Sequence, residues 1–104
     1  VAGSAPAYFF AFMEAIVAGG VRLGLPAETA ERMAIQTAVG ASRMAQETDT
    51  AVGELRRRVT SPGGATAEAL RVLSEGGLDT LLQKAMEAAV QRADDMATEL
   101  TAEE

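Results

Sequence analysis

The chain has 104 residues, of which 48% are hydrophobic and only 4% aromatic, and its formal net charge is -6. That length allows one small domain, and an acidic chain without a basic face is not typical of a nucleic-acid-binding protein. Cysteine and histidine are both absent. Their absence excludes a thiol nucleophile, a disulfide, a histidine general base and a zinc site built on those ligands, so we expect no metal.

The longest apolar stretch, residues 7–19, contains Glu14 and lacks the basic start of a signal peptide. It is shorter than the roughly 20 apolar residues that span a bilayer. We therefore expect no membrane partner and a cytoplasmic location.

Proline and glycine divide the chain into five predicted helices. Pro6 fits a first helical turn, where its missing N–H costs nothing, Gly24 ends that helix, and Pro26 opens the next. Asp49 or Thr50 is the predicted cap of the third helix. No stretch alternates apolar and polar residues long enough to predict a strand, so we expect an all-α fold with a fraying C-terminus. The predicted helices cover about residues 4–23, 26–46, 50–59, 65–76 and 78–100.

The first predicted helix is apolar around its whole circumference. A helix of this kind has to be buried on several sides, and four other short helices can hardly surround it within one chain of this size. We therefore predict that a second copy of the chain covers part of it. The residues concerned are Ala7, Tyr8, Phe9, Phe10, Ala11, Phe12, Met13, Ala15, Ile16 and Val17.

The second predicted helix carries small side chains, which allow another helix to approach closely. Gly40 in its middle costs about 1 kcal/mol relative to alanine, and close helix packing is one reason to tolerate that cost. An alanine-rich surface helix is the alternative interpretation. The small residues are Ala34, Ala38, Gly40, Ala41, Ser42 and Ala45. The fifth helix is an ordinary amphipathic one, with a single apolar stripe.

The segment from Thr60 to Thr66 is the one that suggests chemistry. Pro62 fixes its own φ, Gly63 and Gly64 allow close approach of the backbone, and a helix follows at once. Free N–H groups at the start of that helix, together with hydroxyl groups, make a small site for an anion such as a carboxylate. The donors are the amides of Gly64, Ala65 and Thr66 and the hydroxyls of Ser61 and Thr66. A capped turn, with Thr60 or Ser61 as the cap, is the alternative that the pattern alone favours.

Five stretches, in this order, resemble the motifs of pyrroline-5-carboxylate reductases. The spacing holds over roughly residues 1–97. Ala5 departs from the family's usual glycine, and Arg56 and Arg57 replace a common lysine and a common acid. The matching stretches are Gly3-Ser4-Ala5-Pro6-Ala7-Tyr8, Gly20-Val21-Arg22-Leu23-Gly24-Leu25-Pro26, Gln36-Thr37 with Gly40-Ala41, Glu54-Leu55-Arg56, and Val59-Thr60-Ser61-Pro62-Gly63-Gly64-Ala65-Thr66.

The resemblance implies a fold, a reaction and partners. These enzymes reduce 1-pyrroline-5-carboxylate to proline with NADPH or NADH, in the last step of proline synthesis. A five-helix C-terminal domain, similar to that of 6-phosphogluconate dehydrogenase, interlocks with a second copy to form a homodimer, and dimers often assemble further into rings. The chain would be this dimerisation and substrate-binding domain over residues 1–104, the N-terminal Rossmann domain being absent from it.

The resemblance also assigns roles to the loop residues. Ser61 and the amides of Gly64 and Ala65, in a loop shaped by Gly63, would bind the substrate's carboxylate. The Thr66 hydroxyl would lie near the ring nitrogen and act in catalysis. No residue of this chain would bind the nucleotide, because no G-x-G-x-x-G motif follows a strand.

Two other interpretations remain. The chain could be a free-standing helical module that dimerises or binds a ligand without catalysing a reaction. It could also come from the wider group of dehydrogenases with helical C-terminal domains, although the Ser61–Thr66 motif argues against this. In either case we expect the isolated chain to be inactive.

Overall fold

The computed structural model describes residues 3–103, and within them the regular structure is entirely helical. The elements are α1 (Ala5–Arg22), α2 (Ala27–Gln46), α3 (Val52–Arg58), α4 (Ala65–Glu75) and α5 (Leu78–Glu103). The predicted all-α class is confirmed. The sequence predicts an end of the last helix near Leu100, whereas α5 continues to Glu103. No glycine or proline interrupts that stretch, and the Thr101 hydroxyl donates a hydrogen bond to the Ala97 carbonyl at 3.0 Å.

The chain divides into two compact units. Residues 5–60 contain α1, α2 and α3, in which α2 contacts both of its neighbours. The other unit contains α4 and α5, which contact each other. No helix within residues 3–103 is long and apolar enough to cross a membrane.

The turn between α1 and α2 explains why the first helix stops where it does. Gly24 has a φ of 108°, a conformation that side-chain-bearing residues rarely adopt. Its N–H donates to the Val21 carbonyl at 3.0 Å, and the N–H of Leu25 reaches back to the Gly20 carbonyl at 3.0 Å. These two bonds form a Schellman motif, which satisfies the last carbonyls of α1 and redirects the chain into α2.

Small residues bring α1 and α2 close together. A Cβ atom placed on Gly20 would lie 3.3 Å from the Ala30 Cβ and 3.4 Å from Leu25. Ala30 and Ala34, both on α2, are the only buried hydrophobic residues among those described. The unit therefore depends on close backbone approach rather than on a core of large side chains.

The start of α3 differs from the prediction. Neither Asp49 nor Thr50 caps this helix, because the N-cap position is Ala51, which makes no side-chain capping bond. The Thr48 hydroxyl instead accepts a hydrogen bond from the Thr50 amide at 3.2 Å. At the other end, the Thr60 hydroxyl donates to the Arg56 carbonyl at 2.6 Å and satisfies one of the last acceptors of the helix.

A glycine with positive φ also joins α4 to α5. Gly77 has a φ of 83°, and its N–H donates to the Ser74 carbonyl at 3.0 Å. The carbonyl of Gly77 then accepts the N–H of Leu81 at 2.8 Å, within the first turn of α5. The predicted break at this glycine pair is confirmed.

Candidate functional site

The segment that precedes α4 is a tight turn built on proline and glycine. The Gly64 amide donates a hydrogen bond to the Ser61 carbonyl at 3.1 Å, which closes a four-residue turn. Pro62 occupies its second position and Gly63, with a φ of 71°, its third. Proline followed by a residue of positive φ is the pattern of a type II turn. The turn delivers the chain to Gly64 in an extended conformation, and α4 begins at the next residue.

The first three residues of α4 carry amides with no partner in the part of the chain that the structure describes. Gly64 is the N-cap and contributes no side-chain bond, and its carbonyl accepts the N–H of Glu68 at 3.2 Å. The amides of Ala65, Thr66 and Ala67 therefore remain as donors at the positive end of the helix dipole.

This arrangement corrects one of the predicted donors. The sequence places the Gly64 amide in the anion site, but the turn uses that N–H internally. The Ala67 amide, which the sequence interpretation omits, joins the donors in its place. Ala67 could have been inferred from the predicted start near Ala65, since the first three residues inside a helix after its N-cap lack acceptors.

The predicted hydroxyl groups lie on the same short segment and are open to solvent. Ser61 and Thr66 are both exposed. Thr60, one of the two predicted caps, is bonded to the end of α3 instead. Of the alternative, a turn capped by Thr60 or Ser61, the structure has the Thr60 bond at the end of α3, whereas no side chain caps the start of α4. Within residues 3–103, no group of three or more acidic, His or Cys residues is arranged to hold a metal ion.

An acidic residue in the first turn of α4 forms an ion pair with an arginine of the same helix. Glu68 is in the first turn of α4, and Arg71 binds it through two nitrogen atoms, the Nε contact measuring 3.0 Å. Arg71 also reaches Glu75 at 2.6 Å. The hydrogen bonds from Arg71 hold the pKa of Glu68 below its ordinary value, and those from Glu68 and then Glu75 raise the pKa of Arg71. The Glu68 carboxylate is thereby paired with a residue one turn further along α4.

A second feature, in the unit of residues 5–60, is an apolar groove between α1 and α2 of about 570 Å³. Two acidic residues, Glu14 and Glu31, also line it, and neither forms an ion pair with a described residue. Its apolar lining includes Phe10, Met13, Val17 and Ile35. We name this feature the α1–α2 groove.

Helix α1 exposes aromatic side chains to solvent, and one of them, Phe10, lines the groove. Phe9 and Phe10 are 66% and 64% exposed, and no residue of α1 is buried. The Tyr8 hydroxyl is buried and has no hydrogen-bond partner among the described residues, a feature that no sequence pattern signals. Helix α1 therefore keeps most of its apolar surface in solvent.

A family model described as pyrroline-5-carboxylate reductase dimerisation matches residues 1–96. This chain belongs to that family. The match includes the α1–α2 groove and the Ser61–Gly64 turn that precedes α4. It confirms the resemblance drawn from the motifs.

Curated relatives in the pyrroline-5-carboxylate reductase family agree with this assignment. The chain is 46% identical over 100 residues to the pyrroline-5-carboxylate reductase of Pseudomonas aeruginosa, covering 96% of this chain and 37% of that protein. It is 49% identical over 96 residues to the enzyme of Vibrio alginolyticus, covering 91% of this chain and 35% of that one. The chain thus spans little more than a third of the length of these relatives.

Solved structures of the same family share the fold. The chain aligns with a pyrroline carboxylate reductase from Plasmodium falciparum, solved with NADP bound, at a TM-score of 0.87 and 33% identity, covering 90% of this chain and 36% of that one. A pyrroline-5-carboxylate reductase from Coxiella burnetii aligns at a TM-score of 0.85 and 51% identity, covering 88% and 34%. The five-helix arrangement is therefore that of a pyrroline-5-carboxylate reductase dimerisation domain.

Proposed function

We propose that this chain is the part of a pyrroline-5-carboxylate reductase that holds the substrate's carboxylate and joins two subunits. The complete protein would reduce 1-pyrroline-5-carboxylate to proline with NADPH or NADH. The observation that carries the proposal is the row of unpaired amides at Ala65, Thr66 and Ala67, directly behind the Ser61–Gly64 turn.

The chemistry of this site suits a small carboxylate. Amides at a helix N-terminus attract negative charge through the helix dipole, worth about 0.3–2 kcal/mol, and each hydrogen bond to a charged group adds about 1.5–3 kcal/mol. The exposed Ser61 hydroxyl can donate a further bond from the turn. Gly63 and Gly64 leave room for the ligand, because neither carries a side chain that would cover the amides. Anion binding in this way needs no arginine or lysine.

Thr66 is the residue of this chain best placed to contact the reacting part of the substrate. Its amide belongs to the carboxylate site, and its hydroxyl, on the same residue, is exposed. We propose that this hydroxyl donates a hydrogen bond to the ring nitrogen and orients the C=N bond. Threonine is too weak an acid to be the sole proton source, so a water molecule or an already protonated iminium supplies the proton. The contribution of the chain is then chiefly positioning.

The nucleotide does not fit the residues of this chain. No strand occurs among the described residues, and no stretch of the sequence has the G-x-G-x-x-G spacing that a Rossmann domain uses for a dinucleotide. We therefore assign NADPH or NADH to a Rossmann domain outside this chain and expect the chain alone to be inactive.

The proposal of a dimer rests on the solvent-accessible surface area of a single chain, which is 8343 Å². A compact monomer of 10.8 kDa exposes about 5,500 Å², and even two separate compact units of half that mass would together expose only about 6,700 Å². The excess of about 1,600 Å² or more is twice what one partner buries in an interface of standard size. A homodimer would bury such an area, and further assembly of dimers into rings is an additional proposal.

Nuclear magnetic resonance with proline tests the carboxylate site. We expect L-proline to shift the amide signals of Ala65, Thr66 and Ala67 together and saturably in the ¹⁵N-labelled chain. The Gly64 amide should respond less, because it is already bonded within the turn. L-prolinamide, which has the same ring but no carboxylate charge, is the matched control ligand and should leave these signals unchanged.

The start of α2 provides a control within the same molecule. It also follows a proline and has no side-chain cap, so equal shifts at Ala27 and Glu28 would mean that proline responds only to helix dipoles. That outcome, or equal shifts with prolinamide, would contradict the proposed site. Oxidation of NADPH by the isolated chain in the presence of substrate would contradict the assignment of the nucleotide to another domain.

A further inference from the structure

The first turn of α4 contains an acid as well as the unpaired amides. Glu68 directly follows the three residues that carry those amides, and its own N–H donates to the Gly64 carbonyl at 3.2 Å. At a rise of 1.5 Å per residue, its Cα lies about 4.5 Å along the helix axis from that of Ala65. Side chains of an α-helix lean towards its N-terminus. An unpaired Glu68 carboxylate would therefore extend over the turn that carries the free amides.

A carboxylate in that position would act against the binding of the substrate. The helix dipole and the unpaired N–H groups attract any nearby negative charge, including one on the helix itself. A charge so placed also repels a second carboxylate a few ångströms away, even near a protein surface. The side chain of Glu68 is 65% exposed, so burial within the chain does not hold it in one place.

Arg71 is the residue that holds the Glu68 carboxylate. Its Nε donates to one oxygen at 3.0 Å and a second guanidinium nitrogen donates to the other. Among the described residues, both oxygens therefore have their hydrogen bonds with Arg71. The guanidinium also donates to Glu75 at 2.6 Å, one turn further along the helix. A planar guanidinium that binds a carboxylate through two bonds fixes its orientation better than a single donor does.

Helix α4 has no second cation that would replace this arginine. Its 11 residues contain two acids, Glu68 and Glu75, and one base, Arg71. Without Arg71 the helix would carry two negative charges and no positive one. Exposed ion pairs of this kind contribute little to stability. The consequence of the pair therefore lies in where the charge of Glu68 is held.

We propose that Arg71 is a positioning residue of the reductase, which keeps the Glu68 carboxylate from competing with the substrate's carboxylate at the start of α4. This inference rests on the carboxylate site of the proposed function and adds a residue that controls its affinity. Arg71 acts through Glu68 and does not itself bind the substrate. Because the substrate's carboxylate is held equally before and during the reaction, the role concerns KM rather than kcat.

Steady-state kinetics of the complete reductase tests this role. Arg71→Gln releases Glu68 and should raise the KM for 1-pyrroline-5-carboxylate about fivefold at low ionic strength, with kcat nearly unchanged. Adding Glu68→Gln to this variant should return KM to the wild-type value, although the ion pair remains broken. The rise in Arg71→Gln should also shrink at about 0.5 M salt, because salt screens exposed charges.

Two single variants serve as controls. Glu68→Gln alone removes the competing charge and should not raise KM. Arg32→Gln breaks the comparable ion pair with Glu28, in the first turn of α2, and should leave KM unchanged. The inference is overturned by an unchanged KM in Arg71→Gln or by a raised KM in either control. It is also overturned if Glu68→Gln does not restore the KM of Arg71→Gln, since Arg71 would then stabilise α4 or bind the substrate directly.

The same measurements separate this inference from the proposed function. A wild-type reductase that reduces 1-pyrroline-5-carboxylate, with the same KM in all the variants, contradicts the role of Arg71 and leaves the proposed function intact. A wild-type protein that does not reduce this substrate contradicts the proposed function and, with it, the inference. Because both side chains of the pair are exposed, we expect every variant to fold and to assemble as the wild type does, which circular dichroism and sedimentation measure.

Discussion

The amide of Gly64 donates to the carbonyl of Ser61 at 3.1 Å, and this one bond determines which amides of α4 remain available. With Gly64 committed to the turn, the unpaired donors move one position along the chain, to Ala65, Thr66 and Ala67. The turn and the proposed carboxylate site are therefore coupled, and we expect a substitution that alters the turn to alter carboxylate binding as well.

Gly63→Ala tests this coupling. Gly63 has a φ of 71°, and a Cβ in that region costs about 1–2 kcal/mol. We expect the free energy of unfolding to fall by about that amount and proline binding to weaken, because the turn no longer aligns the amides. Urea unfolding and the proline titration measure the two effects. Gly53→Ala, at a glycine of α3 without positive φ, should not lower the free energy of unfolding and should leave proline binding unchanged. Unchanged proline binding in Gly63→Ala would show that the turn does not position the site.

Thr66→Val tests the proposed hydrogen bond to the ring nitrogen in the complete reductase. Valine keeps the branched shape and the amide but removes the hydroxyl. Losing one such bond, worth about 1.5 kcal/mol, lowers kcat by about tenfold or more. Steady-state kinetics measures the effect, and sedimentation should show the same assembly as the wild type. Thr80→Val, a matched loss of an exposed hydroxyl on α5, should retain full turnover; equal turnover in both variants would remove Thr66 from the reaction.

Much of the fold could be predicted because proline and glycine mark its boundaries. Pro26, Gly24 and Gly77 stand at helix ends for reasons that depend only on backbone geometry, and the structure has breaks at all three. The end of α5 could not be predicted in the same way. No residue after Leu100 forces a stop, and fraying depends on contacts that the sequence pattern does not reveal.

The candidate site can be predicted less completely than the fold. The pattern predicts an anion-binding segment but not how the hydrogen bonds of that segment are distributed, so it includes the Gly64 amide, which the turn uses, and omits the Ala67 amide. The predicted N-cap residues of α3, Asp49 and Thr50, are wrong for a similar reason. Thr48 and Thr50 bond to each other, since short polar side chains have several local backbone partners of similar energy.

Gly20→Ala tests the close approach of α1 and α2. The new methyl group would lie 3.3 Å from the Ala30 Cβ and push the helices apart. Overpacking of this kind costs about 1–3 kcal/mol, against a gain of about 1 kcal/mol in helix propensity, so we expect a net loss of stability in urea unfolding. Gly19→Ala is the matched control, because a Cβ there meets nothing within 4 Å. It should be at least as stable as the wild type, and equal stability of the two variants would contradict the packing described.

The pH dependence of α4 follows from its ion pairs. The pKa of Glu68 is lowered by Arg71 from an ordinary value of 4.5. The pair therefore stabilises the folded chain fully above about pH 4.5, and that contribution is lost as the pH falls through the lower pKa of the folded state. We expect carbon-13 NMR to show Glu68 titrating below 4.5, and Arg71→Gln to return it to its ordinary range. Arg32→Gln, which removes an ion pair on α2, should leave it unchanged; a wild-type Glu68 that titrates at its ordinary value would contradict the pairing.

The proposed dependence of this chain on a second copy is supported by the finding that only two small alanines among the described residues are buried hydrophobics. Sedimentation equilibrium at micromolar concentration measures that dependence most directly. The predicted result is a single species of twice the 10.8 kDa chain mass, whose helical content is lost together with its association on dilution. A stable, fully helical species at the mass of one chain would contradict it.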